Sequence, residues 1–134
     1  MYKEIKLRTT EINAKKKKKT VTETYLCKDC IVCAEAEQKG LELCNNECDV
    51  IMIKDAVYRE FVNKRENEEQ KIYRIKLTDI FVNDNGEEKE LSYYVGVFAE
   101  DLNDATKLAN EYCKQGLQDM RIDAISKTRI IDII

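Results

Sequence analysis

Five of the six cysteines lie between residues 27 and 48, at spacings that are typical of metal-binding sites. Cys27, Cys30 and Cys33 form a C-x2-C-x2-C pattern, and Cys44 and Cys48 form a C-x3-C pair. Thiolates at such short intervals hold zinc ions and iron–sulfur clusters. In a reducing compartment, a metal explains clustered cysteines better than disulfides do. A zinc site built from Cys27 to Cys48 is therefore one hypothesis for this protein.

The ten residues between Cys33 and Cys44, AEAEQKGLEL, predict a helix that argues against a single metal site. At ~1.5 Å rise per residue, the helix would separate the flanking sulfurs by about 16 Å. Zinc instead needs each sulfur at about 2.3 Å, and the three upstream thiols lack a fourth ligand. Free cysteine commonly packs as a small apolar side chain. We therefore predict six reduced thiols with a structural role, no metal site and no cofactor.

The chain contains no histidine, which removes the commonest general base and any imidazole-based triad. Carboxylates are plentiful, but the richest stretches, NDNGEEKE and NKRENEEQ, are typical of solvated turns. The four glycines form no phosphate-binding loop. We therefore predict a non-enzymatic protein with no catalytic residues.

Positive charge is concentrated at the start of the chain. Residues 1–28 hold nine Lys/Arg and three acids, a net charge of +6, so the remainder carries −9 within the overall −3. The run Lys15 to Lys19 falls at a predicted hairpin tip, where a bound polyanion would relieve the repulsion and release counterions. A basic end on an acidic body indicates a polyanionic partner.

A basic surface that also carries aromatic side chains can bind phosphates and stack on bases. The candidate nucleic-acid-binding residues are Lys6, Arg8, Lys15, Lys16, Lys17, Lys18, Lys19, Arg74, Lys76, Tyr25 and Tyr94. The sequence has no RNP1-like strand and no helix-turn-helix, which favours single-stranded DNA or RNA with little sequence preference. In the alternative interpretation, the lysines are a solvated loop that keeps a sheet edge soluble, and the aromatic residues belong to the core.

The chain reads as two copies of one unit, about residues 2–62 and 73–134, with a polar linker at about 63–72. Each copy has two alternating segments, a helical stretch and a closing strand, predicted at 49–62 in the first copy and at 121–134 in the second. Asn85-Gly86 predicts a hairpin turn, and Asp101 predicts a helix N-cap. We therefore predict one α+β domain of two ββαβ repeats, with mainly antiparallel sheets, one helix per repeat and pseudo-twofold symmetry.

An alignment of the two copies supports a packing role for the thiols. The paired positions are Tyr25 with Tyr94, Cys44 with Cys113, and residues 58–61 with 130–133. The three upstream thiols fall opposite small or apolar residues, namely Gly96, Ala99 and Leu102.

Three short motifs resemble those of an uncharacterised domain-of-unknown-function family from Bacteroidales bacteria and their phages. They are VTETYL at residues 21–26, EAE at 35–37 and IDII at 131–134. The resemblance covers nearly the whole chain. It implies a small, internally duplicated ββαβ domain, and it supplies no catalytic residues.

The start of the chain, MYKEIKLRTT, lacks the apolar stretch of a signal peptide, and no apolar run approaches the ~20 residues of a membrane span. We therefore expect a cytoplasmic location in a bacterial host cell and no membrane association.

Three classes of function remain open. The first is a phage-derived accessory protein that binds single-stranded DNA or RNA through a basic hairpin. The second is an interaction module that forms a homodimer or binds another protein, through a sheet edge or the apolar tail RIIDII. The third is a zinc-binding protein that uses the thiols. The charge asymmetry favours the first class.

Overall fold

A computed structural model describes residues 2–12, 18–116 and 119–134, as two helices and eight strands. The elements are β1 (Tyr2–Ile12), β2 (Lys18–Lys28), α1 (Cys33–Leu43), β3 (Asp49–Ala56), β4 (Glu60–Phe61), β5 (Lys71–Val82), β6 (Glu88–Ala99), α2 (Leu102–Gln115), β7 (Asp119–Lys127) and β8 (Ile130–Ile133). The strands form two mostly antiparallel four-stranded sheets. The predicted α+β class with one helix per half is therefore confirmed.

Unit 1 comprises Met1–Val57 and Arg129–Ile134, and its sheet has the strand order β3-β1-β2-β8. The central strand β1 pairs antiparallel with β2 and β3, and β8 runs parallel to β2. Helix α1 covers the face that carries Ile5 and Leu7. A Cβ atom placed on Gly40 would lie 2.9 Å from Ile5 Cδ1 and 3.0 Å from Leu7 Cδ2. A glycine at this position therefore allows α1 to approach the sheet closely.

Unit 2 comprises Tyr58–Thr128, and its sheet has the strand order β4-β6-β5-β7. Its core lies between one face of the sheet and α2. Alternate residues of β5 and β6 point into it, as the period of two of a β-strand requires. The buried core residues are Tyr73, Ile75, Leu77, Val95, Val97, Ala99, Ala105 and Ala109.

Each predicted closing segment is divided between the two units, which the sequence interpretation did not foresee. Strand β3 pairs with β1, whereas β4, only a few residues later, pairs with β6. In the same way β7 pairs with β5, and β8 pairs with β2. The prediction of one continuous strand at 49–62 and another at 121–134 is therefore wrong. The apolar pattern continues across each break, and only long-range hydrogen bonding sets the position of the break. The predicted repeat boundaries concern sequence similarity and remain a prediction.

The strand registers of the two sheets match with an offset that differs by one residue from the sequence alignment in β2 and β6. A register shift lies between Lys6 and Leu7 in unit 1 and between Lys76 and Leu77 in unit 2. Lys6 pairs with Thr24 on β2, and Lys76 pairs with Tyr94 on β6. Tyr94 therefore corresponds to Thr24 and not to Tyr25. A slip of one residue moves a side chain to the opposite face of a sheet.

Candidate functional site

Three of the predicted binding residues lie together on the face of the unit 2 sheet opposite α2, here called the helix-free face. On β5, Arg74 and Lys76 alternate with core residues, and the cross-strand partner of Lys76 is Tyr94. The guanidinium carbon of Arg74 lies 4.8 Å from the centre of the Tyr94 ring. Arg74 is exposed, and Lys76 and Tyr94 are half-buried. This arrangement combines a cation–π pair with a second cation, so it can contact both phosphates and bases.

Phe61 extends the aromatic character of the helix-free face, and sequence reasoning missed it. Its ring covers Gly96, because a Cβ atom on Gly96 would lie 2.3 Å from Phe61 Cε1. Gly96 is also the cross-strand partner of Arg74. The ring centres of Phe61 and Phe98 are 5.8 Å apart. An isolated glycine within a strand pattern often marks such a close approach, and Gly96 was the available signal.

In unit 1, Lys6 and Arg8 alternate with Ile5 and Leu7 on β1 and therefore face away from α1. Lys6 is half-buried and Arg8 is exposed. The Arg8 guanidinium lies 3.6 Å from the carboxylate of Asp49, which offsets part of its charge.

Tyr25 lies on the other face of the unit 1 sheet, the face covered by α1. It pairs with Ile5 and packs against the unit 1 core. Its hydroxyl donates a hydrogen bond to the Glu23 carboxylate. Burial, and then this hydrogen bond, raise the pKa of Tyr25 to about 12. The structure therefore does not bring Tyr25 together with Lys6 and Arg8, and its position agrees with the core interpretation.

The lysine run lies largely outside the described residues. Lys15, Lys16 and Lys17 are not described, and neither is the side chain of Lys18. Lys19 is exposed on β2. Strands β1 and β2 pair antiparallel up to Ile12 and Lys18, so the last two lysines of the run belong to β2.

Cys44 and Cys48 form a disulfide, which contradicts the prediction of six reduced thiols. Cys44 caps the C-terminus of α1. Asn45 and Asn46 then adopt left-handed conformations with φ of 54° and 62°, a region that asparagine tolerates better than most residues. This turn brings the two Cα atoms to 6.0 Å, within the range that a disulfide spans.

The other thiols of unit 1 occupy two different environments. Cys27 and Cys30 are fully buried in the core, whereas Cys33 is exposed at the start of α1. The Cys27 thiol donates to the carbonyl oxygen of Ala36 at 3.9 Å. Within residues 2–12, 18–116 and 119–134, no three His, Cys, Asp or Glu side chains are grouped so as to hold a metal ion.

A cluster around Asp79 in unit 2 was not predicted from the sequence. The Tyr93 hydroxyl donates to Asp79 Oδ1 at 2.9 Å, and Arg59 Nη1 lies 3.7 Å from Asp79 Oδ2. The Arg59 guanidinium carbon also lies 4.4 Å above the Tyr93 ring. Burial, and then the bond to Asp79, raise the pKa of Tyr93 to about 12. The available signal was Asp79 itself, an acid on the core-facing side of β5.

The Asp79 cluster holds the segment before β4 in place. Glu60 follows Arg59 in the chain, and its carboxylate accepts a hydrogen bond from the Tyr112 hydroxyl on α2. Every charge in this cluster has a partner within the fold, which is typical of a structural rather than a catalytic site.

A polar cavity of about 430 Å³ lies between the segment before β5 and the start of α2. Three carboxylates line it, those of Glu66, Glu100 and Asp104. This negative lining makes the cavity unsuitable for a polyanion.

The architecture defines an α+β protein of two four-stranded units, each covered by one helix. The chain belongs to a family described as a domain of unknown function, DUF4494, whose match extends over residues 1–134. The uncharacterised family expected from the sequence motifs is thereby confirmed at this level. No curated protein and no solved structure matches the chain. None of the helices in the described part of the chain is long and apolar enough to span a bilayer.

Proposed function

We propose that this protein is a small, non-enzymatic accessory protein that binds single-stranded DNA or RNA with little sequence preference. The observation that carries the proposal is the stacked Arg74–Tyr94 pair beside Lys76 on the helix-free face. Cations position a nucleic acid through its phosphates, and aromatic rings accept any base. The run Lys15 to Lys19 adds a second source of positive charge in the sequence.

The two kinds of contact have different physical signatures. Each phosphate neutralised by Arg74 or Lys76 releases counterions, so the affinity falls as salt rises, with a log–log slope of about −0.7 per contact for single strands. Stacking on Tyr94 contributes about 1–3 kcal/mol per base and depends little on salt. Removing a cation should therefore reduce both the affinity and its salt dependence, whereas removing the ring should reduce the affinity alone.

The test is fluorescence anisotropy with a labelled single-stranded oligonucleotide over a range of salt concentrations. The double variant Arg74→Ala/Lys76→Ala should bind more weakly and reduce the salt slope by about 1.4. Tyr94→Leu should lose about 1–3 kcal/mol of binding free energy with the slope unchanged. Replacing Lys15 to Lys19 with alanine tests the run separately.

The matched control for the double variant is Lys107→Ala/Lys114→Ala, which removes the same charge from α2 on the other side of the sheet. For the run, the control replaces five other exposed lysines, Lys64, Lys71, Lys107, Lys114 and Lys127. If each control weakens binding as much as its partner, net charge alone explains the binding. If the wild-type protein does not bind, the proposal fails.

A second candidate is self-association through the edge strand β3. This strand ends the unit 1 sheet, and Ile51 on it is an exposed large apolar residue. Lys54 and Asp55 place charges on the same edge, a feature that discourages edge pairing. The tail RIIDII contains β8, in which Ile130 is buried and Ile131 is 39% exposed, so only part of its apolar surface is available. Light scattering that reports a dimer, together with no oligonucleotide binding, would favour this candidate.

We further infer that the chain arose by duplication of a ββαβ unit and acts in the cytoplasm of a bacterial host, as a Bacteroidales or phage protein. What supports the duplication is the matching strand order and the matching register shift in the two sheets. The family resemblance in the sequence motifs supports the origin.

A further inference from the structure

The two helices differ in how their ends are stabilised. At α2, the Asp101 side chain accepts a hydrogen bond from the Asp104 amide at 2.8 Å, and Lys114 lies in the last turn. At α1, the N-cap residue Val32 makes no side-chain cap, and the last turn has no basic residue. Helix α1 also contains Gly40 in its interior, which weakens a helix relative to alanine. Its ends therefore need another source of support.

Pairs of cysteines flank α1 on both sides. The Cys44–Cys48 disulfide follows the helix, and Cys27 and Cys30 precede it. Superposing the buried helix positions Ala36 and Gly40 on Ala105 and Ala109 places Cys113 of unit 2 at the position of Cys44. Extending the strand registers by one residue places Met120 at the position of Cys48. Unit 2 thus reaches the same fold without a sulfur bridge, so the bridge is a special property of unit 1.

Cys27 and Cys30 belong to the same buried cluster of unit 1. Burial raises the pKa of Cys27 to about 11, and interaction with the Cys30 thiol is the next cause. Both side chains are fully buried. Asp29 between them lies in the turn that follows β2 and has a left-handed φ of 59°. Two free thiols three residues apart in the chain therefore share one buried cluster.

Two ammonium groups lie near these thiols. The carbonyl oxygen of Lys28 accepts hydrogen bonds from Cys30 Sγ at 3.7 Å and from Lys39 Nζ at 2.9 Å. The Lys39 ammonium also opposes the upward shift in the pKa of Cys27. The hydrogen bond to Asp55 raises the pKa of Lys3 and burial opposes the rise, while Cys33 and then Cys30 add smaller contributions in the same direction as Asp55. Positive groups next to a sulfur stabilise the thiolate, which is the nucleophile of disulfide exchange.

We propose that Cys27 and Cys30 form a second, reversible disulfide by exchange with a low-molecular-weight disulfide such as oxidised glutathione. When this corner of unit 1 opens locally, the Cys30 thiolate attacks one glutathione sulfur, forms a mixed disulfide and releases one glutathione thiolate. The Cys27 thiolate then attacks the Cys30 sulfur and releases the second. The protein dithiol loses two electrons, the glutathione disulfide gains them, and the two thiol protons pass to the released glutathione molecules.

The experiment uses the positions of the tryptic sites in the 134-residue chain. Trypsin cleaves after Lys28, between the two cysteines, so a Cys27–Cys30 bond joins peptides 20–28 and 29–39. The protein is incubated with oxidised glutathione, quenched in acid, unfolded, alkylated and digested without reduction. Mass spectrometry should find the joined pair in the wild type and also in Cys33→Ser, which removes the other thiol of peptide 29–39. Cys113→Ser is the matched control and should give the same joined pair.

The proposal is overturned if Cys27 and Cys30 remain alkylated separately, or if the bond forms between Cys30 and Cys33 within one peptide. It is also overturned if the joined pair disappears in Cys33→Ser, because the bond would then involve Cys33. Treatment with reduced glutathione should separate the peptides again, and a bond that resists this treatment would not be the reversible one proposed.

Discussion

At the scale of single residues, the clearest feature of unit 2 is a buried carboxylate whose charge is fully partnered. Asp79 accepts a hydrogen bond from Tyr93 and lies beside the guanidinium of Arg59. A carboxylate in a low-dielectric core is costly unless such partners are present. Tyr93 thereby keeps its proton, since ionisation would place a second negative charge next to Asp79.

Two tyrosines should make stability depend on pH in the alkaline range. The pKa values of Tyr25 and Tyr93 are raised to about 12, above the ordinary value of 10.0. The two phenol groups therefore stay protonated to a higher pH in the folded state than in the unfolded state. The stabilisation is fully present below about pH 10 and is lost as pH rises toward 12. Urea unfolding at pH 9, 11 and 12 should show a smaller alkaline loss in the variant Tyr25→Phe/Tyr93→Phe.

The control is a titration of phenol absorbance in urea-unfolded protein, which should give the ordinary tyrosine pKa. An alkaline loss of stability that is the same in the wild type and the double variant would assign the effect to other groups.

At the scale of elements, the difference between α1 and α2 shows how two similar helices reach stability by different means. Helix α2 uses a capping carboxylate and a basic last turn, which satisfy free amides and complement the helix dipole. Helix α1 instead ends at the Cys44–Cys48 disulfide and lies close to the sheet over Gly40. Tertiary and covalent contacts therefore replace local capping in unit 1.

A capping side chain should stabilise α1. Val32 is the N-cap residue and is 51% exposed, so replacing it loses little burial. Val32→Ser would create an S-x-x-E capping box with Glu35, whose carboxylate already accepts the amide of Ile31 at 3.2 Å. We expect an increase of about 1 kcal/mol in the free energy of unfolding, measured in urea.

Ile31→Ser is the matched control, because Ile31 is 74% exposed and lies one residue before the cap. It should leave stability nearly unchanged. An equal gain from both changes would show that the effect comes from removing exposed apolar surface.

At the scale of the whole molecule, the path of the chain links the two units. The chain leaves unit 1 after Val57 and returns to it at Arg129, so the last strand, β8, belongs to the first unit. Strand β4 likewise belongs to unit 2 although it follows the first ββαβ segment. Contacts between residues far apart in sequence complete each sheet, which raises contact order and is expected to slow folding.

Weakening β8 should therefore destabilise unit 1, although β8 is at the other end of the chain. Ile130 is 4% exposed, and Ile130→Ala should cost about 2–5 kcal/mol. Hydrogen exchange should show a loss of protection in β1 and β2 that exceeds the loss in β5 and β6. Ile131→Ala is the control in the same strand, because Ile131 is 39% exposed and should have a small effect. Equal losses in both units would mean that the protein unfolds as one cooperative body.

The sequence by itself determined the local elements of this protein. Alternation in β5 and β6, the Asn85-Gly86 turn and the cap at Asp101 each depend on interactions between residues close in the chain. These features predicted the helices, the hairpins and the α+β class correctly. The same alternation also predicted that Arg74 and Lys76 would share a face of their strand.

The tertiary structure decided which strands pair with which, and in what register. Contacts between distant segments decide that β4 joins the unit 2 sheet and β8 the unit 1 sheet. Such contacts also place Tyr25 against the core and supply the partners of Asp79. A sequence pattern with a period of two cannot distinguish one register from a neighbouring alternative until the partner strand is known. The Cys44–Cys48 disulfide was missed for a related reason: it depends on the left-handed turn at Asn45 and Asn46, which brings the two residues together after α1 ends.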